Sequence, residues 1–203
     1  MKTIYFMRHG ESEENAGDTW KDNSICLTKK GRDQAKTVTK QLAKLTLDIV
    51  ICSTLKRAVE TAQIISKKLS KDIDTTNLLD ERKPPSQLLG KLKSGPISNK
   101  INRTIINNFH ISSFRYSDEE NFEDLKKRVK SVLVYLSNRK EKNILVVTHG
   151  FFMRILLAYI IHGNRLTGSE SVDFIKNYYV THCGINTVTH DEEQKNSWKI
   201  CIK

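Results

Sequence analysis

Two short apolar runs in this chain end in the same dipeptide. Ile4–Met7 is followed by Arg8, His9 and Gly10; Ile144–Val147 is followed, after Thr148, by His149 and Gly150. A single Arg-His pair where a strand emerges into solvent carries little weight, because polar residues are common there. Its repetition carries more, and further polar residues close other runs: Arg57 lies just past 47–53, and Glu81 follows the run that begins at Ile73. Two arginines, two histidines and a carboxylate suit phosphoryl chemistry, where charge spread over non-bridging oxygens needs fixed donors. Arginine holds two phosphate oxygens in its planar fork and stays charged at any working pH. Histidine is substantially unprotonated at neutral pH and can attack without an activating base. Neither a serine, a cysteine nor a metal ion is then required.

These residues need elements to position them, and the chain alternates element types. Thr3–Met7 is rich in β-branched and aromatic residues and predicts a first strand. Thr28 opens a helix with Ala35, Val38, Leu42 and Leu45 on one face; residues 47–53 predict a strand; Ala58, Ala62, Ile65 and Leu69 mark the buried face of the next helix. A strand near Ile73 gives way to a loop that Pro84 and Pro85 keep from becoming helical. Residues 92–116 are polar and broken by Gly and Pro, with one short helix near 101–107. Ser117 with Glu120 predicts a capping box before Phe122, Leu125, Val129, Val132 and Leu136. Ile144–Val147 reads as a strand buried on both faces, and Phe151, Ile155, Leu156, Tyr159 and Ile160 follow it at helical spacing until Gly163. "INTVTH" and "SWKICIK" flank "DEEQKN" as a terminal hairpin. The expected fold is α/β, a three-layer sandwich with a mostly parallel central sheet and helices on both faces. Both histidines then sit at carboxyl ends of strands, the edge where open α/β sheets bind ligands, beside helix N-termini that favour anions.

The whole chain sets limits on that reading. Its 203 residues, 38% hydrophobic and 28% charged, suit one domain spanning 1–203 with no repeat or linker. Ile155–Ile161 is too short to span a bilayer, and Ile4–Met7 is too short for a signal-peptide core, so a soluble cytoplasmic protein without a membrane partner is expected. Cys26, Cys52, Cys183 and Cys201 form no C-x-x-C pair, which points to four free thiols and to no metal site. The net charge of +11 admits nucleic-acid binding, but the lysines are scattered without interleaved aromatics. A solvated basic surface, or a field that draws in a small anion, fits better, so no nucleic-acid partner is expected. His110, His162, His182 and His190 lack a strand-end setting and are expected to be surface or structural, and Arg154 to pack along its own helix.

"RHGESEEN" (8–15), "STLKRAVETA" (53–62), "LDER" (79–82) and "VVTHG" (146–150) together resemble the four ordered signatures of the histidine phosphatase superfamily, in its phosphoglycerate-mutase-like branch, and "LTKKGRDQA" matches a further segment. The resemblance implies that His9 is the nucleophile and forms a phosphohistidine, its other ring nitrogen held by a backbone carbonyl, that of Gly10. It implies that Arg8, Arg57 and a protonated His149 bind the phosphoryl oxygens, with Asn15 and the N–H of Gly150 as neutral donors. Glu81, third in "LDER", becomes the general acid and base, although Asp80 lies beside it. The family also brings a loop near the site where Cys183-Gly184 stands. No cofactor or metal is implied.

Three departures from the family's pattern stand out, of which the first is tolerable in a turn and the other two bear on activity. Thr54 stands where the family often has proline, and "ERKPPSQLLGK" (81–91) replaces the glycine-containing segment of the mutases. The long proline-rich insertion resembling the mutases' substrate lid is absent, and a mutase must keep its phosphohistidine from water. The expectation is a metal-independent phosphomonoesterase acting on a small phosphorylated metabolite. Mutase-type transfer and a non-catalytic phospho-ligand binding module are the alternatives. Specificity is assigned to residues 82–116, where Lys83, Lys91, Lys93, Arg103 and Arg115 could form a second anionic subsite or be solvated surface charge. The oligomeric state is not indicated.

Overall fold

The structure is a computed structural model and describes residues 1–203 except 23, 192, 195–197, 202 and 203. In chain order its elements are β1 (Lys2–Arg8), α1 (Glu13–Ala16), α2 (Lys29–Leu42), β2 (Ile49–Cys52), α3 (Lys56–Leu69), β3 (Ile73–Thr75), α4 (Pro96–Asn107), α5 (Phe122–Ser137), β4 (Asn143–Thr148), α6 (Gly150–His162), α7 (Gly168–Asn177), β5 (Ile185–His190) and β6 (Trp198–Cys201). Among the described residues six strands form one sheet in the order β3-β2-β4-β1-β5-β6. β3, β2, β4 and β1 run parallel, and β5 and β6 add an antiparallel hairpin beside β1. The outer part of the expected hairpin, at 192, 195–197, 202 and 203, lies outside the described residues.

Period-two alternation divides the core between the two faces of the sheet. Ile4, Phe6, Ile144, Val146 and Ile51 pack with α4, α5 and α6, while Met7, Leu145, Val147, Val50 and Cys52 pack with α2 and α3. The three-layer α/β sandwich expected from the sequence is the observed fold. No helix among the described residues is long and apolar enough to cross a membrane.

Three local readings change. The box expected at Ser117 and Glu120 is made instead by Asn121 and Asp124 at the start of α5. The carboxylate of Glu119 accepts from the backbone N–H of Tyr116 and Ser117, and the helix is capped four residues later than the sequence suggests. The short helix near 101–107 begins earlier, with Pro96 in its first turn, where the missing N–H costs nothing. α7, which the sequence reading passed over, carries a signature that was there to be read: Thr167 caps its first turn and Glu170 answers in a capping box.

Candidate active site

β1 and β4 are parallel neighbours in register, Arg8 opposite Thr148. His9 and His149 therefore leave the sheet side by side, with ring centroids 4.9 Å apart. The N–H of His9 donates to the carbonyl of Thr148 at 2.9 Å, which fixes the two chain exits together. Gly10 follows because α2 crosses immediately behind it: a Cβ there would lie 2.5 Å from the carbonyl oxygen of Gly31. Arg57 comes from the first turn of α3, after β2, and its Nε lies 3.3 Å from Nε2 of His9.

The ring of His9 is nearly inaccessible to solvent. Its Nδ1 is 2.6 Å from the carbonyl oxygen of Gly10, an acceptor only, so Nδ1 carries the proton and the lone pair of Nε2 accepts from Nε of Arg57. Burial, with Arg57 and then Arg8 nearby, holds the imidazole neutral well below the usual histidine range; the Gly10 bond acts the other way and does not prevail. The result is an unprotonated ring nitrogen pinned from behind and flanked by a guanidinium.

His149 is set by a relay. Ser53 Oγ donates to Asp80 Oδ1 at 2.7 Å, so at 2.8 Å it accepts from Nε2 of His149. Nδ1 is left buried without a partner. Burial, reinforced by Arg57, His9, Arg128 and Arg8, pushes the proton affinity of His149 well below the ordinary value. In the free protein the ring is thus neutral; the protonated His149 expected from sequence is a state with a phosphoryl group bound, and an anion between these cations would favour it. Asp80, the rival for the acid role, is engaged by Ser53 and by the N–H and hydroxyl of Thr54.

Arg8 lies along the N-terminus of α6. Its Nη1 donates to the carbonyl of Val180 at 2.8 Å and its Nε is buried without a partner. Gly150 makes room for it, since a Cβ there would lie 3.1 Å from that Nε. Glu81 closes the same helix end: Oε2 accepts from the N–H of Phe151, and Oε1 from those of Phe152 and Arg82. Oε2 keeps a lone pair to spare. Asn15 sits in α1, where its side-chain oxygen accepts from Ser12 in a capping box, leaving its NH₂ to donate elsewhere. Arg154 bonds the carbonyls of Gly150 and Ile175, as a packing residue does.

One residue was missed. His182 is expected from sequence to be surface or structural, yet its ring lies 6.1 Å from that of His9 and its Nε2 3.2 Å from Oδ1 of Asn15. Burial and Arg8 lower its pKa to about 4. Cys183 delivers it by adopting a left-handed φ of 57° while its N–H donates to the carbonyl of Arg8. A strained non-glycine residue beside a catalytic strand end marks such a place in a structure, and leaves no trace in sequence.

The arrangement is a small volume with fixed cations, a neutral nucleophilic nitrogen and a carboxylate, suited to moving a phosphoryl group. The chain is similar to a 2,3-bisphosphoglycerate-dependent phosphoglycerate mutase of Thermoplasma acidophilum, 29% identical over 170 residues that cover 79% of this chain and 77% of the relative. It is similar to the adenosylcobalamin/alpha-ribazole phosphatase of Escherichia coli, 24% identical over 172 residues, 78% of each chain. A phosphoserine phosphatase mutant from Entamoeba histolytica, solved in complex with phosphoserine, superposes with a TM-score of 0.76 at 21% identity, over 100% of this chain and 96% of that one. The relatives thus include both phosphatases and phosphoglycerate mutases. The profile of the histidine phosphatase superfamily (branch 1) matches residues 4–200, and the chain belongs to that family.

Proposed function

We propose that this protein is a metal-independent phosphomonoesterase, one domain over 1–203, that hydrolyses a small phosphorylated metabolite in the cytoplasm through a phosphohistidine at His9. The observation that carries this reading is the state of His9: Nδ1 is tied to Gly10, and Nε2 is unprotonated beside Arg57. In the first step Nε2 attacks phosphorus in line, an N–P bond forms, and the ester P–O bond breaks. Arg8, Arg57 and His149 hold the non-bridging oxygens, with Asn15 and the Gly150 N–H as neutral donors. Glu81, through Oε2, gives a proton to the departing oxygen. In the second step Glu81 takes a proton from water, the water oxygen bonds to phosphorus, and the N–P bond breaks to free phosphate and restore His9. Such a shuttle contributes about 10²–10⁴-fold. The arginines supply the positive charge the transition state requires.

The test is phosphate release from a panel of phosphomonoesters in the presence of chelator, with wild type beside His9→Ala. Turnover by the wild type, unaffected by chelator and lowered at least about 10⁴-fold in a folded His9→Ala, supports the reading. Transfer between positions of a phosphoglycerate that outpaces phosphate release would replace hydrolysis by mutase action. Phosphate binding without turnover of any ester would leave a binding module.

A further inference from the structure

Outward from Arg57 and Glu81 the site opens into a cavity of about 440 Å³ walled by Trp20, Lys21, Arg82 and Lys83. That volume suits a small leaving group, at the low end of ligand pockets. Three of its lining residues carry buried donor atoms without a partner: Arg57 Nη1, Trp20 Nε1 and Arg82 Nη1. Buried polar atoms are normally satisfied, and a charged donor left alone is costly, so a cluster of orphans at one cavity calls for an explanation. Arg57 has one, the phosphoryl group. The other two do not.

The other cations of the wall are spoken for. Lys83 pairs with Asp118 at 3.0 Å; Arg128 pairs with Glu120 at 2.8 Å and donates to the carbonyls of Leu78 and Asp80; Lys21 reaches Glu13 at 3.7 Å. Of the further candidates named from sequence, Lys93 donates to the carbonyls of Glu14 and Gly17, and Arg115 pairs with Asp124. The guanidinium of Arg82 lies 4.7 Å over the ring of Phe151 and bonds to none of the described residues. Glu81, Glu119 and Glu120 are the carboxylates near it, but none hydrogen-bonds its guanidinium: Glu81 accepts from the N–H groups at the start of α6, Glu119 from Tyr116 and Ser117, Glu120 from Arg128 and the N–H of Lys83. Of the remaining carboxylates of the wall, Asp80 accepts from Ser53 and Thr54, and Glu14 lies near Arg57 and Lys93.

Resting on the phosphatase reading, we infer that Arg82 and Trp20 form a second oxyanion subsite, so that the preferred substrate carries a carboxylate or a second phosphate on its leaving group. Arg82 supplies the charge and a planar fork that fits either group, and Phe151 backs the plane of that fork. Trp20 adds a neutral donor from a segment that the backbone bonds of Trp20 with Gly90 and Lys91 hold in place. Specificity for such a substrate comes from the cost of leaving these donors unpaired when the second group is missing.

The experiment compares kcat/KM within matched pairs: O-phosphoserine against O-phosphoethanolamine, which differ by a carboxylate, and fructose 1,6-bisphosphate against fructose 6-phosphate, which differ by a phosphate. In at least one pair the member with the second oxyanion is preferred by about 10- to 100-fold, the worth of a charged hydrogen bond, and the pair that responds names the group. Arg82→Gln collapses that preference, losing far more on the preferred substrate than on p-nitrophenyl phosphate. Trp20→Phe lowers it by about 3- to 10-fold, as one neutral bond does. Turnover of p-nitrophenyl phosphate with ratios near one in both pairs overturns the inference and leaves the phosphatase reading standing. So does an Arg82→Gln protein that loses equally on every substrate while Trp20→Phe leaves the ratios unmoved. Absence of His9-dependent turnover on every compound overturns both.

Discussion

The floor of the site and its outer wall are built by different means. The floor stands on strand ends and helix starts: Arg8 and His9 leave β1, His149 leaves β4, Arg57 opens α3, and backbone bonds or a buried Ser-Asp relay fix each ring. The wall, made from residues 13–21 and 77–121, contains short helical turns and loops fastened by side chains across long sequence distances. Asp18 accepts from the N–H of Ser94, Asp118 from that of Ser86, and the Arg128–Glu120 pair spans the edge of the cavity. A regular lattice can hold reacting groups to the tolerance that chemistry needs, whereas loops pinned by a few charges can be rebuilt without disturbing it. The phosphoryl step thus belongs to the sheet edge, and the choice of leaving group to the wall.

Glu81 tests that division most severely, because it is part of the wall by chain position and of the floor by its bonds to α6. Glu81→Gln is expected to slow esters with poor leaving groups by about 10²–10⁴-fold. It should slow p-nitrophenyl phosphate, whose phenolate departs with little help, far less. Steady-state kinetics on both substrates decides the matter, and equal losses would remove Glu81 from the acid role. Arg57→Ala should behave in the opposite way. It withdraws a donor from the phosphoryl oxygens common to every substrate, so kcat/KM falls by about 10²–10³-fold on all of them alike. Losses that vary strongly from ester to ester would mean that Arg57 also reads the leaving group, and the separation of floor from wall would fail.

The same division explains what was legible in the sequence. His9, His149 and Arg57 announce themselves because a strand is a short apolar run and its end is abrupt; the alternation that buries Ile4 and Phe6 on one face and Met7 on the other is the signal that fixes the edge. Choosing Glu81 over Asp80 rests on resemblance; in the structure Asp80 accepts from Ser53 and Thr54, and Glu81 from the N–H groups of Arg82, Phe151 and Phe152. Arg82 falls in the segment 82–116 to which specificity is assigned, without being singled out there; His182 and Trp20 are not legible as site residues. Each reaches the site through a contact between segments distant in sequence, and no local periodicity encodes such a contact. The misplaced box at Ser117 has a similar cause. Between 117 and 124 several short polar side chains can each bond a nearby N–H, and only the packing of Phe122 and Leu125 selects Asn121 as the cap.

The smallest effect expected is on stability, and it isolates the floor from the wall by pH. His9 and His149 are buried and hold their protons far more weakly than an exposed histidine. As pH falls below about 6.5 the unfolded chain binds protons at these positions and the folded chain does not, so stability drops. Each ring contributes a slope of up to about 1.4 kcal/mol per pH unit in that window. Carboxylates with lowered pKa, such as Glu141 and Glu170, lose their contributions only further down, below about 4.5. Between pH 6.5 and 4.5 the slope therefore reports the histidines at the site, His9 and His149 together with His182, whose pKa is lowered to about 4. Inorganic phosphate should flatten it, because an anion beside Nδ1 of His149 favours the imidazolium, and binding then takes up a proton. Urea unfolding at pH 7, 6 and 5, with and without phosphate, measures both effects. His149→Gln keeps a donor for Ser53 but removes the titrating ring, so it should reduce the slope of the free protein and most of its response to phosphate. A free protein equally stable at pH 6.5 and 5 would mean that these rings are hydrated, and that the floor is as open as the wall.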